Sequence, residues 1–590
     1  MFMNIAVLVL VGVIAYAWSA RGFFSALLHL CCTIAAAAIA FALWEPISLA
    51  IINKGGSQWM QDLALCLSLI VPFALALAAL TSITNMLVRA NAQCESAFDY
   101  VGGGVCGLLT GTISVGLLVI SLSFVRVHND FMGHEPISQE KDGYFTKGSA
   151  LWFPVDSLVA KGFGALSTTS LRVGSPLATL YPDIAYRGHV MRIMPDEATL
   201  KVTGSGSDVG LAGRYTVGEK GIKVDDLLKD TFSTVKQSVK DLDGESLTGQ
   251  YKIEGYVLAT KAGMREANGQ VIFGPGSVQL VLEGEDGPLT AHPIALISQA
   301  KGDNTDLGRW RFDGKGVFFG SAGAAANPPV AVEFVVPANA IPLYLYVKGV
   351  RMSLTDEETE TTMAAFDAFD DVAERDRAIR NGSILAVAKD AVKPANSESP
   401  PIKPDGADSP IQASNRMPFR ITLNAGNANG LVVVKDGKTN YIQSGDAKFR
   451  KEDFGQVGMD RALRLEEFLV DSETAIVQLD VSPSSALSIV SPESKEAGGG
   501  APTLIDNRGQ TYEAVGFVYQ DALLTHIRFM PGSPIQGDKD LPSVTANRTD
   551  QKIVLLFRVS LGVEIKSYAI GNKGIKDFTP TLKINQSQKR

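Results

Sequence analysis

No cysteine occurs after Cys106 in this 590-residue chain. All five, Cys31, Cys32, Cys66, Cys94 and Cys106, lie in the apolar opening. The long remainder can therefore hold neither a disulfide nor a thiolate zinc site. Cys31 and Cys32 are neighbours inside an apolar run and read as small hydrophobes. Dense basic clusters are missing too. With a net charge of −8 and no Lys/Arg patch, nucleic acid is not an expected partner. Catalytic signatures are also lacking. There is no His-Glu-x-x-His, no Gly-x-x-x-x-Gly-Lys-Ser/Thr and no Gly-Asp-Ser-Gly-Gly. Gly204-Ser-Gly206 and Gly498-Gly-Gly500 have no strand-then-helix setting and read as loops. The histidines of the later part, His128, His134, His189, His292 and His526, stand isolated. The chain is read as a non-enzyme, with no catalytic residue, cofactor or metal expected.

The first 125 residues lack polar helix faces. Four apolar runs, Ile5–Ala20, Gly22–Leu43, Leu63–Val88 and Tyr100–Val125, each approach the ~20 residues that cross a bilayer as a helix. Trp18, Trp44 and Trp59 fall at the expected ends, where indole rings favour the headgroup level. Met1 to Asn4 carry no Lys or Arg, so the opening is expected to be a retained span and not a cleavable signal. Four spans put both ends of the bundle on one side. Arg21 and Arg89 stand against Lys54 and Arg126 across the membrane, so charge leaves the orientation open.

Gly103, Gly107 and Gly111 repeat every fourth residue in the fourth run. On a helix they form one smooth stripe, against which a second backbone can pack closely. Asp99, one turn earlier, is expected to accept N–H groups at the start of its own helix. The other reading is an ion or substrate path lined by Asp99.

Two motifs carry a resemblance. Arg21-Gly22-Phe23 opens the second run, and Asp99-x3-Gly103-x3-Gly107-x3-Gly111 enters the fourth, with one apolar hairpin between them. In both motifs and in the four-span layout, residues 1–125 resemble the colicin V production protein family. The resemblance implies a multi-pass inner-membrane protein associated with toxin production or export, with an extracytoplasmic C-terminal side and no assigned reaction. Asn4 stands where that family often has an acid, and Ser25 and Ala26 where it often has a charge. Some relatives carry a trypsin-like protease, for which this chain has no nucleophile motif.

Residues 126–185 form a bridge. Leu151, Trp152, Phe153, Leu158, Val159 and Phe163 predict an amphipathic helix, broken at Pro154, lying in the membrane interface or packed on a neighbouring domain. From 186 to 353, and again from 412 to 590, short runs alternate apolar and polar residues between Gly, Asp and Asn turns. That pattern predicts two β-sandwich modules of immunoglobulin-like type. Each stretch ends on Phe-x-Val, a turn, then Ile-x-x-Tyr: Phe334, Val336, Ile341 and Tyr344, then Phe557, Val559, Ile565 and Tyr568. This suggests a repeat. In the 354–411 segment, Thr355-Asp-Glu-Glu358 reads as a capping box, with Met363, Phe366, Phe369 and Val372 as a helical stripe. Lys393–Pro410, rich in proline, reads as an extended spacer of roughly 50 Å.

The fold class expected is thus an α-helical membrane domain followed by a mainly β soluble part. The favoured function is a membrane-anchored envelope protein whose β-modules bind envelope proteins or cell-wall material, with self-association as the bland alternative. A transport or channel component using Asp99 and the glycine helix is the second reading, and an enzyme with an unseen site the third.

Overall fold

The computed structural model describes residues 2–54, 58–88, 95–125, 132–140, 143–170, 175–193, 203–206, 208–229, 232, 238–265, 271–299, 307–312, 320–321, 330–355, 366–381, 383–385, 402–404, 409–424, 430–450, 454, 462–471, 474–507, 510–571 and 573–585. Among these, four helices are long and apolar enough to cross a membrane: α1 (Phe2–Ser19), α2 (Phe23–Asn53), α3 (Gln58–Leu87) and α4 (Ser96–Ser123). Leu8, Val13, Leu75, Ile83, Val101 and Leu109 point outward from the bundle, an arrangement suited to lipid and costly in water. The turn between α1 and α2 is set by Gly22, whose φ of 89° suits glycine. Both ends of the bundle meet on one side: Met3 N–H donates to Met132 O (3.3 Å), and Asn4 Oδ1 accepts from Trp152 N–H (2.7 Å).

Trp44 departs from expectation. It is buried, its Nε1 donates to Leu65 O (2.9 Å), and its ring lies against Phe124 and Tyr181. The cause is the length of α2. The helix runs ten residues past Leu43, through Pro46, so Trp44 sits inside a packed junction and not at a helix end.

The bridge contains α5 (Val155–Thr168), α6 (Leu177–Leu180) and α7 (Arg187–Arg192), with a hairpin of β1 (Ile137–Gln139) and β2 (Phe145–Lys147). α5 is the expected amphipathic helix, but Leu151, Trp152 and Phe153 precede it, because the chain becomes helical only after Pro154. Val159 and Phe163 are buried, and a Cβ added at Gly116 of α4 would collide with Val155 and Val159. Trp152 and Leu158 remain exposed (65% and 47%). One side of this segment packs on the bundle and the other is free to meet lipid.

The first β part holds β3 (Val209–Lys223), β4 (Gln250–Thr260), β5 (Ile272–Phe273), β6 (Val278–Gly284), β7 (Gly287–Ala291), β8 (Ala295–Gln299), β9 (Leu307–Arg311), β10 (Gly320–Ser321), β11 (Val330–Pro337), β12 (Ile341–Val347), β13 (Val350–Ser353) and β14 (Phe366–Phe369). A six-stranded sheet runs β14-β3-β4-β11-β8-β9 and a four-stranded one β13-β12-β6-β7. Tyr256, Phe334, Leu280 and Leu345 from the two sheets share one core.

Phe366 and Phe369 are a correction. They lie on β14, parallel to β3, and not on a helix. A stripe of a few apolar residues is a weak helical signal, and the backbone groups along the edge of β3 capture the segment as a strand. The helix starts at Val372 and runs to Arg380, capped by Asp371, whose Oδ1 accepts from Glu374 N–H (2.9 Å). Residues 356–365, which hold most of the expected capping box and Met363, lie outside the described residues.

The second β part holds β15 (Ile411–Ala413), β16 (Arg416–Asn424), β17 (Leu431–Asp436), β18 (Thr439–Arg450), β19 (Ala462–Phe468), β20 (Thr474–Asp480), β21 (Pro502–Asp506), β22 (Thr511–Gln520), β23 (Leu524–Phe529), β24 (Lys552–Ser560), β25 (Glu564–Ile570) and β26 (Lys573–Lys583). Its strand order repeats the first part. β3-β4-β11-β8-β9 corresponds to β15-β20-β24-β22-β23, and β13-β12-β6-β7 to β26-β25-β21-β22. The register agrees: Glu254 faces Phe334 as Val477 faces Phe557, a shift of 223 positions for both partners. β22 serves both sheets as one strand, pairing β21 through its first half and β23 through its second. The corresponding run in the first part is split into β7 and β8 around Pro293, which has no N–H to give a ladder.

The tyrosines of the repeat do not correspond. Leu504–Tyr568 matches Leu280–Leu345. Tyr344 is one residue out of register, which turns it to the opposite face, toward the membrane domain. Most of the proline-rich spacer lies outside the described residues, but Ile402 does not hang free. Its N–H donates to Asp577 O (3.1 Å), its O accepts from Thr579 N–H (2.9 Å), and it packs on the second core.

Candidate functional site

The two motifs of the membrane domain meet in space. Asp99 Oδ1 accepts from Phe23 N–H (3.0 Å) across 76 residues of sequence. Asp99 was expected to cap its own helix and instead satisfies the first amide of α2. That amide, in the first turn of α2, has no partner inside its own helix. Phe23 also meets Phe98 edge-on, with ring centres 5.1 Å apart. A Cβ added at Gly102 would strike the Phe23 ring.

The glycine stripe faces α1. An added Cβ would stand 2.9 Å from Trp18 O at Gly103, 2.9 Å from Ala15 Cα at Gly107, and 3.2 Å from Val11 Cα at Gly111. These are backbone atoms, so no side-chain rotation could relieve the clash. The stripe therefore meets a helix.

Beside this node, α2 and α3 enclose a cleft of about 340 Å³. Arg21, Ser25 and His29 line it at four-residue spacing, joined by Cys32, and Thr81, Thr84 and Asn85 line the α3 side. Trp18 stacks on His29 (4.1 Å) and carries the Arg21 guanidinium over its ring (4.7 Å). His29 Nδ1 lies 3.5 Å from Thr81 Oγ1, and Cys32 Sγ lies 3.3 Å from Thr84 Oγ1. Asp99 is not among the lining residues. Of these residues only Arg21 stands in a sequence motif, and His29, Thr81, Thr84 and Asn85 belong to none. Their helical spacing inside apolar runs is the signal that could have found them.

At the opposite end of α2 the first β part is docked. Arg351 of β13 pairs with Glu45 (2.7 Å), and Ser205 Oγ donates to Asn53 Oδ1 (2.7 Å). Tyr346 OH donates to Leu180 O (2.6 Å) while the Arg187 guanidinium covers its ring (3.8 Å) and pairs with Asp183 (3.0 Å). Burial pushes the Tyr181 and Tyr346 phenols well above their ordinary range.

Two histidines expected to be isolated lie together at this junction. The His134 and His189 rings meet edge-on at 5.2 Å, and His134 Nε2 is 3.7 Å from Asp156. Burial, then the charges of Arg192 and His134, push His189 down to about 2 and keep it neutral. Sequence distance hid this pair, since the chain from 134 to 189 folds back through the bridge. His526 bonds Asp446 (2.6 Å) on the distal module. Among the described residues no group of three His, Cys, Asp or Glu could hold a metal ion.

Comparison with known families agrees with the motif geometry. Residues 3–141, the four helices and the start of the bridge, match the model of the Colicin V production protein family. Neither a curated protein nor a solved structure matches the chain.

Proposed function

We propose that this chain, with its N-terminal domain of the Colicin V production protein type, is a non-enzymatic membrane anchor that presents β-modules to extracytoplasmic partners. The observation that carries the proposal is the distal edge strand β17. It pairs only with β18 among the described residues, and it exposes Val432 (51%) and Val434 (38%). An edge of that kind offers unpaired backbone groups and apolar side chains, the elements of strand-addition recognition. The expected partners are envelope proteins or cell-wall material. An association with toxin production or export is taken over from the family alone.

The test is proximity labelling from the C-terminus, comparing the native chain with a Val432→Lys, Val434→Lys double variant. Envelope proteins labelled by the first and lost with the second are expected. Labelling of copies of this chain alone would replace partner binding with self-assembly. Orientation is tested separately. The cysteine-free soluble part and the family both support an inner-membrane protein with an extracytoplasmic C-terminus. A reporter that fluoresces only in the cytoplasm, fused to Arg590, should stay dark, and a bright signal overturns this arm.

A further inference from the structure

We propose that the cleft between α2 and α3 holds the headgroup of an anionic phospholipid. Three observations converge on this. The first is chemical. Hydroxyl, amide and imidazole groups inside a bilayer-spanning domain are costly unless they meet a polar partner. Here five such side chains (Ser25, His29, Thr81, Thr84 and Asn85) converge on one cavity of about 340 Å³, together with Arg21. The lining carries cationic and neutral groups. Asp99 and Glu95, the carboxylates at the start of α4, do not line it, and Asp99 is turned to the Phe23 amide.

The second observation is depth. Arg21 lies in the turn between α1 and α2, at the end of two helices long enough to span the bilayer, the level expected for lipid phosphates if both cross it. His29 stands six residues into α2, about 9 Å deeper along the helix. Thr81, Thr84 and Asn85 approach from α3. This order, guanidinium at the surface and hydroxyl and amide donors below, matches a phosphate followed by the ester carbonyls of a glycerolipid. The third observation is access. Leu27, Met86, Leu87 and Val88 beside the mouth are exposed, so the cleft opens onto an apolar outer surface. A ligand entering sideways from the bilayer would keep its acyl chains on that surface.

The full-length protein, purified in detergent, is exchanged against phosphatidylglycerol or phosphatidylcholine and examined by native mass spectrometry and thermal unfolding. Phosphatidylglycerol should stay bound and raise the unfolding temperature, and phosphatidylcholine should not. Arg21→Gln should weaken retention roughly tenfold or more, the scale of a lost charge-assisted hydrogen bond. Asn85→Leu should also reduce retention, and since Asn85 is exposed it keeps the test open if Arg21→Gln fails to fold. Lys54→Gln, at the far end of α2, should retain lipid normally. Three results would each overturn the proposal: equal retention of the two lipids, phosphatidylglycerol retention unchanged in the folded Arg21 and Asn85 variants, or the full thermal shift with inorganic phosphate alone, which would mark a free-anion site.

Discussion

A side chain at Gly107 would enter space that the Ala15 backbone and the Trp18 Cβ already fill. Gly107→Leu should therefore force α1 away from α4, at about 1–3 kcal/mol or more of overpacking cost. The check is thermal stability and oligomer profile of the purified membrane protein, and a Leu variant indistinguishable from the parent would contradict it. The stripe was legible because a four-residue glycine period has few other physical uses on a membrane helix. The partner of Asp99 was not, since a lone carboxylate carries no record of which amide it will reach. Glu333 shows the same limit. In sequence it is one acid in a strand, yet it is fully buried among Tyr215 (3.0 Å), Arg309 (2.7 Å) and Arg375 (3.1 Å). Burial alone would raise its pKa, but the two guanidiniums outweigh burial and hold it below its ordinary value. Its stabilising contribution is full above about pH 4.5 and is lost as pH falls through the lowered value. Glu333→Gln should cost up to about 3–5 kcal/mol by removing the buried carboxylate that Arg309 and Arg375 share, Arg375 keeping Asp376 (2.7 Å), measured by denaturant unfolding. His292 works in a higher window. Burial pushes it down to about 4, and neither ring nitrogen has a hydrogen-bond partner among the described residues. The unfolded chain binds a proton below about pH 6.5 that the folded chain refuses, so stability falls by up to about 1.4 kcal/mol per pH unit between 6.5 and 4. His292→Phe should make the unfolding temperature less dependent on pH across that range by about one proton, the share of buried His189 remaining.

At the scale of elements, long periodic segments were legible and short ones were not. All four spans stand where hydropathy predicted, although α2 overran its predicted end because its last turns pack on protein. The Phe366–Phe369 segment failed because spacing of this kind cannot distinguish a short helix from a strand awaiting an edge. Its pairing with β3 depends on a neighbour more than 140 residues away, which local pattern cannot see. The bridge helix divides its residues between two environments, and this gives a direct test. In nanodiscs with brominated lipids, Trp152→Phe should remove a quenchable part of the fluorescence. Trp44→Phe should leave the quenched intensity unchanged and so raise the quenched fraction, because Trp44 is buried against Phe124 and Tyr181.

For the whole molecule, the repeat was visible in two short tails and correct in its phenylalanines, while a one-residue slip misled the tyrosines. The two β parts share an order of strands but not a setting. The proximal part contributes Val281 and Tyr346 to the core of the membrane domain, whereas the distal part touches the proximal one through Arg265 and Glu513 (3.4 Å). The distal part should therefore fold as an isolated fragment of residues 402–585, and the proximal part, cut from its helices, should aggregate. Starting the distal fragment at 409 removes Ile402 and its two backbone bonds, and should lower the unfolding temperature measurably. A 409–585 fragment as stable as 402–585 would show that the docked spacer contributes nothing.

The length of α2 has one more consequence. Its 31 residues measure about 46 Å, against a hydrocarbon layer of ~30 Å. One end is held by the Asp99 carboxylate and the other by Arg351 and Ser205. A helix gripped at both ends cannot tilt alone to suit a thinner or thicker bilayer. The lipid around the bundle is then expected to stretch or compress instead.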